Sequence, residues 1–437
     1  MNKILIFLIV FLFSHCSFDN KSGIWQSKDS ISKKDDRFKG FEKFYTKLES
    51  YKEVKYPKLN LKISIDSPRI NNNWTDEHYQ RNNNLINFSY KDLNKVISSS
   101  KKLTRFKSNE NILYFSGNTI ISDKRGNILV YSLKKKKVIF KYNFYKKQYK
   151  KIKKEIKILL EENIIYVADN LGYLYSLNYQ SGKLLWAKNF KVPFRSNIKA
   201  SNEKLFLADI NNNLLIINKN NGDKLKEIPT EDVTLKNNFI NSIALKDNNI
   251  IYLNTYGSIY SVKDDGALNW FINLNQSLDD KTSMFFSNPI LIYDDYIYLS
   301  TDYFFYKIDL ISGTTLFKIP ITSKVKPVIS GDSIFLITKD DLLVCINSKK
   351  GEILYSIEIS TEIAKFLDTK KKEIYIKSLA LVNSDLHIFL HNSYVVKFKV
   401  TGIIKNINKL PKKINSSPVF VDNSIIYLNK NKLIVLD

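Results

Sequence analysis

One short apolar strand recurs eight times along the chain, and no other feature restricts the fold as strongly. The copies are Val130-Tyr131-Ser132-Leu133, Tyr175-Ser176-Leu177-Asn178, Ile216-Ile217-Asn218, Tyr260-Ser261-Val262, Tyr306-Lys307-Ile308-Asp309, Val344-Cys345-Ile346-Asn347, Val396-Lys397-Phe398 and Ile434-Val435-Leu436-Asp437, spaced roughly 38 to 52 residues apart. That period belongs to a four-stranded propeller blade. A second apolar strand precedes most copies, as in Ile164-Ile165-Tyr166-Val167, and a turn with a further strand follows several, as in Ser181-Gly182-Lys183-Leu184-Leu185-Trp186. One such unit cannot cover both faces of its sheet, so the blades must stack face to face around an axis. The expected fold is all-β, an eight-bladed β-propeller of four-stranded antiparallel blades. Abundant Tyr, Phe and Ile with only 13 Gly and 2 Met agree with strands over helices.

The two ends of the chain complete one another. Residues 416–437 supply three strands and then stop, one short of a blade. A strand near residues 93–98 can take the missing outer slot, which closes the ring and removes an open sheet edge. The propeller is therefore expected over 59–437. Residues 16–58 do not repeat: 17–39 are polar and charged, as a tether should be, and Phe38, Phe41, Phe44, Tyr45 and Leu48 fall at the spacing of a short amphipathic helix.

Residues 1–15 read as a signal peptide. Lys3 gives the positive start, and the apolar run 4–13 is too short to span a bilayer. Cys16 follows directly, where a lipoprotein is acylated and cleaved, although His15 stands where a small residue is usual. Several acyl chains on one residue anchor stably, since each buried methylene contributes about 0.8 kcal/mol. The other cysteine, Cys345, then has no partner for a disulfide and is expected to be a buried small apolar side chain.

The net charge of +25 comes mostly from Lys spread along the chain, with dense runs only at 134–137 and 146–157. Joint enrichment of Lys, Asn and Ile is what an A/T-rich genome produces. No groove-reading helix, stacking-aromatic signature or zinc pattern accompanies the charge, so nucleic acid is not an expected partner. A solvated surface is the first reading, and attraction to anionic lipid headgroups the second.

Catalytic constellations are missing from the sequence. His387 and His391 on one strand would stand about 13 Å apart, too far to share a metal, and His78 has no obvious partner. Asp264-Asp265, Asp279-Asp280, Asp294-Asp295 and Asp340-Asp341 fall in turns, where Asp is favoured for backbone reasons, and none has calcium-loop spacing. No phosphate loop or serine elbow occurs. Neither catalytic residue, metal nor cofactor is expected.

The stretch Leu174-Tyr175-Ser176-Leu177-Asn178-Tyr179-Gln180-Ser181-Gly182-Lys183-Leu184-Leu185-Trp186 resembles the quinoprotein-type propeller repeat. Gly182 makes the turn into the outer strand and Trp186 folds against a neighbouring blade. Gly266 with Trp270, Gly313 with Phe317, and Gly351 with Tyr355 are degenerate copies, and Phe140 stands in the aromatic place as well. Together with Cys16, with Ser330-Gly331-Asp332-Ser333-Ile334-Phe335-Leu336-Ile337-Thr338 and with the Pro68, Asn73 and Trp74 region, the chain resembles the BamB family of outer-membrane protein assembly factors over nearly everything after Cys16.

That resemblance implies a non-enzymatic scaffold lipoprotein of the outer-membrane β-barrel assembly (BAM) complex, on the periplasmic face of the outer membrane; Ser17 after Cys16 resembles the outer-membrane sorting signal. It implies the periplasmic POTRA domains of BamA and other complex subunits as partners, and unfolded outer-membrane proteins as possible ligands by β-augmentation. The family's contact loop corresponds to Val192-Pro193-Phe194-Arg195-Ser196. There Phe194 would be the apolar anchor beside Pro193, and Arg195 would bond a carboxylate. A second contact, paired aspartates in the next interblade loop, has no counterpart in 235–241; Glu231 and Asp232 lie earlier. The alternative is a periplasmic oxidoreductase dependent on pyrroloquinoline quinone (PQQ), since such dehydrogenases share the repeat. They resemble the chain in blade pattern but carry adjacent cysteines and calcium ligands, and this chain has no adjacent cysteines.

Overall fold

The computed structural model describes residues 51–145, 149, 151–233, 239–275 and 285–437. The signal segment, Cys16, the expected helix over 38–48, Asp279-Asp280 and parts of 146–157 and 235–241 lie outside them.

Eight sheets ring a common axis as the repeat requires. Blades 1 to 7 cover residues 108–143, 156–189, 199–228, 242–273, 291–319, 328–358 and 376–409. In each, four antiparallel strands run in sequence order from the axis outward. Blade 8 takes its inner three strands from 419–436 and its outer strand from Val96–Ser99, which pairs antiparallel with Lys432–Leu436. The N-terminal closure expected from the incomplete last blade is thus the observed one. Burial falls outward: in blade 2 Ile156–Glu161 is largely buried, whereas Leu184–Asn189 is half or fully exposed. Every outermost pairing carries a register shift, between Val130 and Tyr131 in blade 1 and between Lys397 and Phe398 in blade 7, for example. Such bulges twist an exposed edge away from further pairing.

Neighbouring blades meet through a ring laid on a glycine. A Cβ on Gly182 would stand 2.6 Å from Phe140 of the preceding blade, on Gly222 2.5 Å from Trp186, on Gly313 2.7 Å from Trp270, on Gly351 3.0 Å from Phe317, and on Gly402 3.1 Å from Tyr355. These glycines have φ between +69° and +87°, the turn conformation that L side chains avoid. At Gly266 the aliphatic stem of Lys226 replaces the ring. Cys345 is a free, fully buried thiol in the third strand of blade 6.

A helix, α1 (Ile359–Phe366), is the one described among these residues and leads from blade 6 toward blade 7. Lys55 pairs antiparallel with Ser356 on the outer edge of blade 6, so the chain is attached already before residue 59. Further in, Ser64 O accepts from Ser333 Oγ (2.9 Å) and Asp66 accepts from the Tyr293 hydroxyl (2.9 Å), which leads the chain to the axis.

Candidate functional site

The middle of the ring is filled by the chain itself. Residues 71–88, which open on the Asn-rich run 71–73 that reads as a turn, visit the blades in ring order. Asn71 Nδ2 donates to Phe420 O of blade 8 (2.7 Å). Trp74 exchanges backbone bonds with Tyr114 of blade 1, both 2.7 Å, and Thr75 O accepts from Leu160 N of blade 2 (2.9 Å). From blade 3, the Lys199 ammonium reaches Asp76 Oδ2 (2.7 Å), Gln80 O (2.7 Å) and Asn83 Oδ1 (2.6 Å). Arg81 O and Asn82 O accept from Leu245 N and Ile292 N of blades 4 and 5. Asn84 Nδ2 donates to Ile329 O of blade 6 (2.8 Å), and Asn87–Phe88 adds a parallel strand to Ile376–Val382 of blade 7.

Tyr114, Leu160, Leu245, Ile292, Ile329, Leu381 and Phe420 hold one equivalent place, the last residue but one of each inner strand. The hub therefore lies at one level, across the end where the inner strands leave the axis. Inner strands carry backbone groups that no neighbouring strand can satisfy, and a buried unpaired peptide group is costly. The asparagine amides supply the missing partners: Asn83 Nδ2 alone donates to Ile243 O and Ile290 O. Trp74, Tyr79 and Phe88 cluster over this layer, Tyr79 edge-on to Phe88 and Phe88 parallel to Phe420 at 5.0 Å.

Above the hub, toward the interblade loops, remains a cavity of about 370 Å³ whose lining includes Glu77, His78, Leu85, Lys324, Lys326 and Lys377. Lys326 donates to His78 O (3.1 Å) and Asn83 O (2.9 Å); burial, then repulsion from Lys199, pulls its pKa down to about 7. His78 is held neutral by burial and by the lysines at 326, 199 and 157. Burial raises the Glu77 carboxyl against the pull of Lys157, 3.3 Å away. His387 lies buried within blade 7 and His391 at the exposed end of that strand. No group of three or more metal-ligating side chains occurs among the described residues. The carboxylates here, Asp76 and Glu77, face Lys199 and Lys157, with Glu77 Oε1 left buried without a hydrogen-bond partner among the described residues, and the floor is the chain's own backbone and aromatic rings.

The interblade loop with Pro193, Phe194 and Arg195 lies between blades 2 and 3. Phe194 does not stand out as an apolar anchor: it is only 5% exposed and packs edge-on against Phe190 at 5.3 Å. Its backbone bridges to Asp209, while Pro193 O accepts from Ile210 N and Arg195 N donates to Ala208 O. The loop is thereby clamped to blade 3, and the ring turns inward to fill the joint. Pro193 and Arg195 remain half exposed. Arg195 Nη1 is buried without a hydrogen-bond partner among the described residues, and burial draws the guanidinium pKa down. Glu231 is committed internally. Burial alone would raise its pKa, but bonds from Tyr260 Oη (2.6 Å), Ser258 Oγ (2.9 Å) and Asn254 Nδ2 (2.8 Å) hold it below the usual range.

Sequence reasoning missed the hub. The only signal was the density of Asn and aromatic residues in 71–90, outside the repeat.

Eight four-stranded blades, aromatic-on-glycine joints and N-terminal ring closure define a quinoprotein-type β-propeller. A family model described as outer membrane protein assembly factor BamB matches residues 107–356, more than half of the chain. The chain belongs to that family. No curated protein matches the sequence. Among solved structures, BamB from Moraxella catarrhalis is similar at 14% identity and a TM-score of 0.60, covering 78% of this chain and 98% of that one. A europium-containing methanol dehydrogenase is similar at 10% identity and a TM-score of 0.58, over 84% and 89% of the two chains. The quinohemoprotein alcohol dehydrogenase from Comamonas testosteroni is similar at 9% and 0.60, over 83% and 80%. At such identities these likenesses are of fold.

Proposed function

We propose that this chain is a non-enzymatic scaffold of the outer-membrane β-barrel assembly complex, acting at the periplasmic face of the outer membrane. The family match across blades 1 to 6 carries this reading. In it, Cys16 is the acylated residue that tethers the propeller, and no described helix is long and apolar enough to cross a membrane. The interblade loop at 192–196 grips a POTRA domain of BamA, and the half-exposed Arg195 guanidinium bonds a carboxylate of the partner. Such a charge-assisted bond forms at little entropic cost because the loop is already clamped to blade 3.

The alternative, a PQQ-dependent oxidoreductase, draws on the fold shared with methanol and alcohol dehydrogenases. Against it stands the channel, whose lower end is taken by residues 71–88 and whose Asp76 and Glu77 each face a lysine.

The test is co-purification of the protein lacking residues 1–16 with the periplasmic region of the cognate BamA, wild type beside Arg195→Glu. Binding lost in the variant, with the fold intact by circular dichroism, supports scaffold and loop together. Binding that survives keeps the partner and removes the loop assignment. No binding by either protein overturns the scaffold reading.

A further inference from the structure

Blade boundaries redistribute the charge. Lysines occur throughout the chain, yet residues 101–155, which hold blade 1 and the sequence on either side of it, carry 17 Lys and Arg against 3 Asp and Glu. That is 14 of the net +25 within one eighth of the chain. Two of the three acids give no counterweight: Glu110 pairs with Lys377 of blade 7 (3.2 Å), and Asp123 is buried, accepting from Thr104 and Asn127. Lysines elsewhere are commonly paired, as in Lys188 with Asp223, Lys246 with Asp295, Lys339 with Asp302 and Lys405 with Asp385. Lys102, Arg105, Lys107 and Lys141 pair with no carboxylate among the described residues.

These cations surround a groove of about 710 Å³ at the joint of blades 8 and 1, lined by Lys102, Arg105, Phe106, Arg125 and Lys141 with two asparagines and no acid. The Arg105 and Arg125 guanidiniums stand over the Phe106 ring at 5.0 and 5.4 Å. Stacking on the ring holds the Arg105 guanidinium in place while leaving its N–H edges available. Aliphatic side chains lie exposed in the same stretch: Val138 and Ile139 on the outer strand and Ile152 in the following loop.

We propose that blade 1 docks on an anionic phospholipid bilayer, with a headgroup phosphate held in the groove by Lys102, Arg105 and Lys141. The charge runs over the loop face, along the outer strand at Lys137 and Lys141, and round to the turn at 134–136. A folded acidic partner would have to match that curved spread carboxylate by carboxylate. A bilayer presents phosphate at uniform density, and lysines interleaved with aliphatic side chains suit its interface. The outer-membrane reading above enters only by supplying a bilayer nearby.

Protein lacking residues 1–16 keeps every described residue and carries no lipid, so vesicle binding reports the surface alone. Sedimentation with phosphatidylglycerol–phosphatidylcholine vesicles should exceed that with phosphatidylcholine by about 10-fold or more near 0.1 M salt, and fall steeply near 0.5 M. Lys102→Glu with Arg105→Glu and Lys141→Glu should lower it about 10-fold or more, while Lys263→Glu with Lys350→Glu and Lys372→Glu, the same change of net charge on other blades, should cost less than about 3-fold. Equal binding to both vesicles overturns the proposal. So does equal behaviour of the two triple variants, or a blade 1 variant that keeps lipid but loses BamA. Vesicle binding without BamA co-purification would instead remove the scaffold reading and leave this one standing.

Discussion

Trp186 donates its indole N–H to the carbonyl of Lys219, 3.0 Å away in the next blade, and lies over Gly222 of the same turn. The pattern recurs at other joints: Trp270 donates to Leu310 O (3.1 Å), and Tyr355 Oη to Val400 O (2.8 Å). Each aromatic thus seals a joint twice, by covering a glycine and by satisfying the carbonyl at the end of a third strand.

Gly222→Ala should destabilise the propeller by about 2–4 kcal/mol, because the methyl meets the indole in a backbone conformation disfavoured for Ala. Trp270→Phe, which loses the donor and part of the ring that covers Gly313, should cost about 2–4 kcal/mol. Urea unfolding of the two variants checks both numbers.

Lys199 is the electrostatic pin of the hub. Lys199→Ala leaves the Asp76 carboxylate buried without its ammonium, a loss of about 3–5 kcal/mol. Adding Asp76→Asn should recover part of that loss. A double-mutant cycle in chemical denaturation should therefore show strong non-additivity. Simple additivity would mean that the two side chains act separately.

His387 makes stability depend on pH with a definite sign. Burial, then the lysines at 397 and 405, lowers its pKa from 6.5 to about 3. A depressed histidine favours the folded state while it is neutral, so its contribution is complete above pH 6.5 and disappears as pH falls toward 3. In that window it accounts for about 1.4 kcal/mol lost per pH unit. His387→Gln should flatten the acid side of the stability profile, with the difference from wild type closing as pH drops.

Truncation separates tether from hub. Removal of residues 1–50 should change the melting temperature by only a few degrees, since every hub contact comes from later residues. Removal of 1–90 takes away partners of inner strands in all eight blades and should lower stability by more than about 5 kcal/mol. Differential scanning fluorimetry of the two forms distinguishes them.

Blade number and closure were legible because they are written locally. The third strand, its turn glycine and the following aromatic recur within about a dozen residues, and the missing last strand demanded an N-terminal one. The joint at Gly222 escaped notice because its own outer strand carries Lys226 in place of an aromatic. The burial of Phe194 was illegible for a related reason: a ring beside Pro and Arg in a loop gives no sign that the loop is clamped to Asp209 and Ala208. The hub was illegible because its bonds are long-range: Asn83 finds carbonyls 160 and 207 residues away. Nothing in an Asn-rich stretch announces partners at that distance.

The hub also sets an order of events. Residues 71–88 precede every blade in the chain, yet their partners extend to Phe420. The part made first must stay uncommitted until the part made last has arrived, and no partial ring can offer it all its bonds. Closure of this propeller is consequently a late, long-range step, and a chain released before its eighth blade would carry its polar axle with nowhere to seat it.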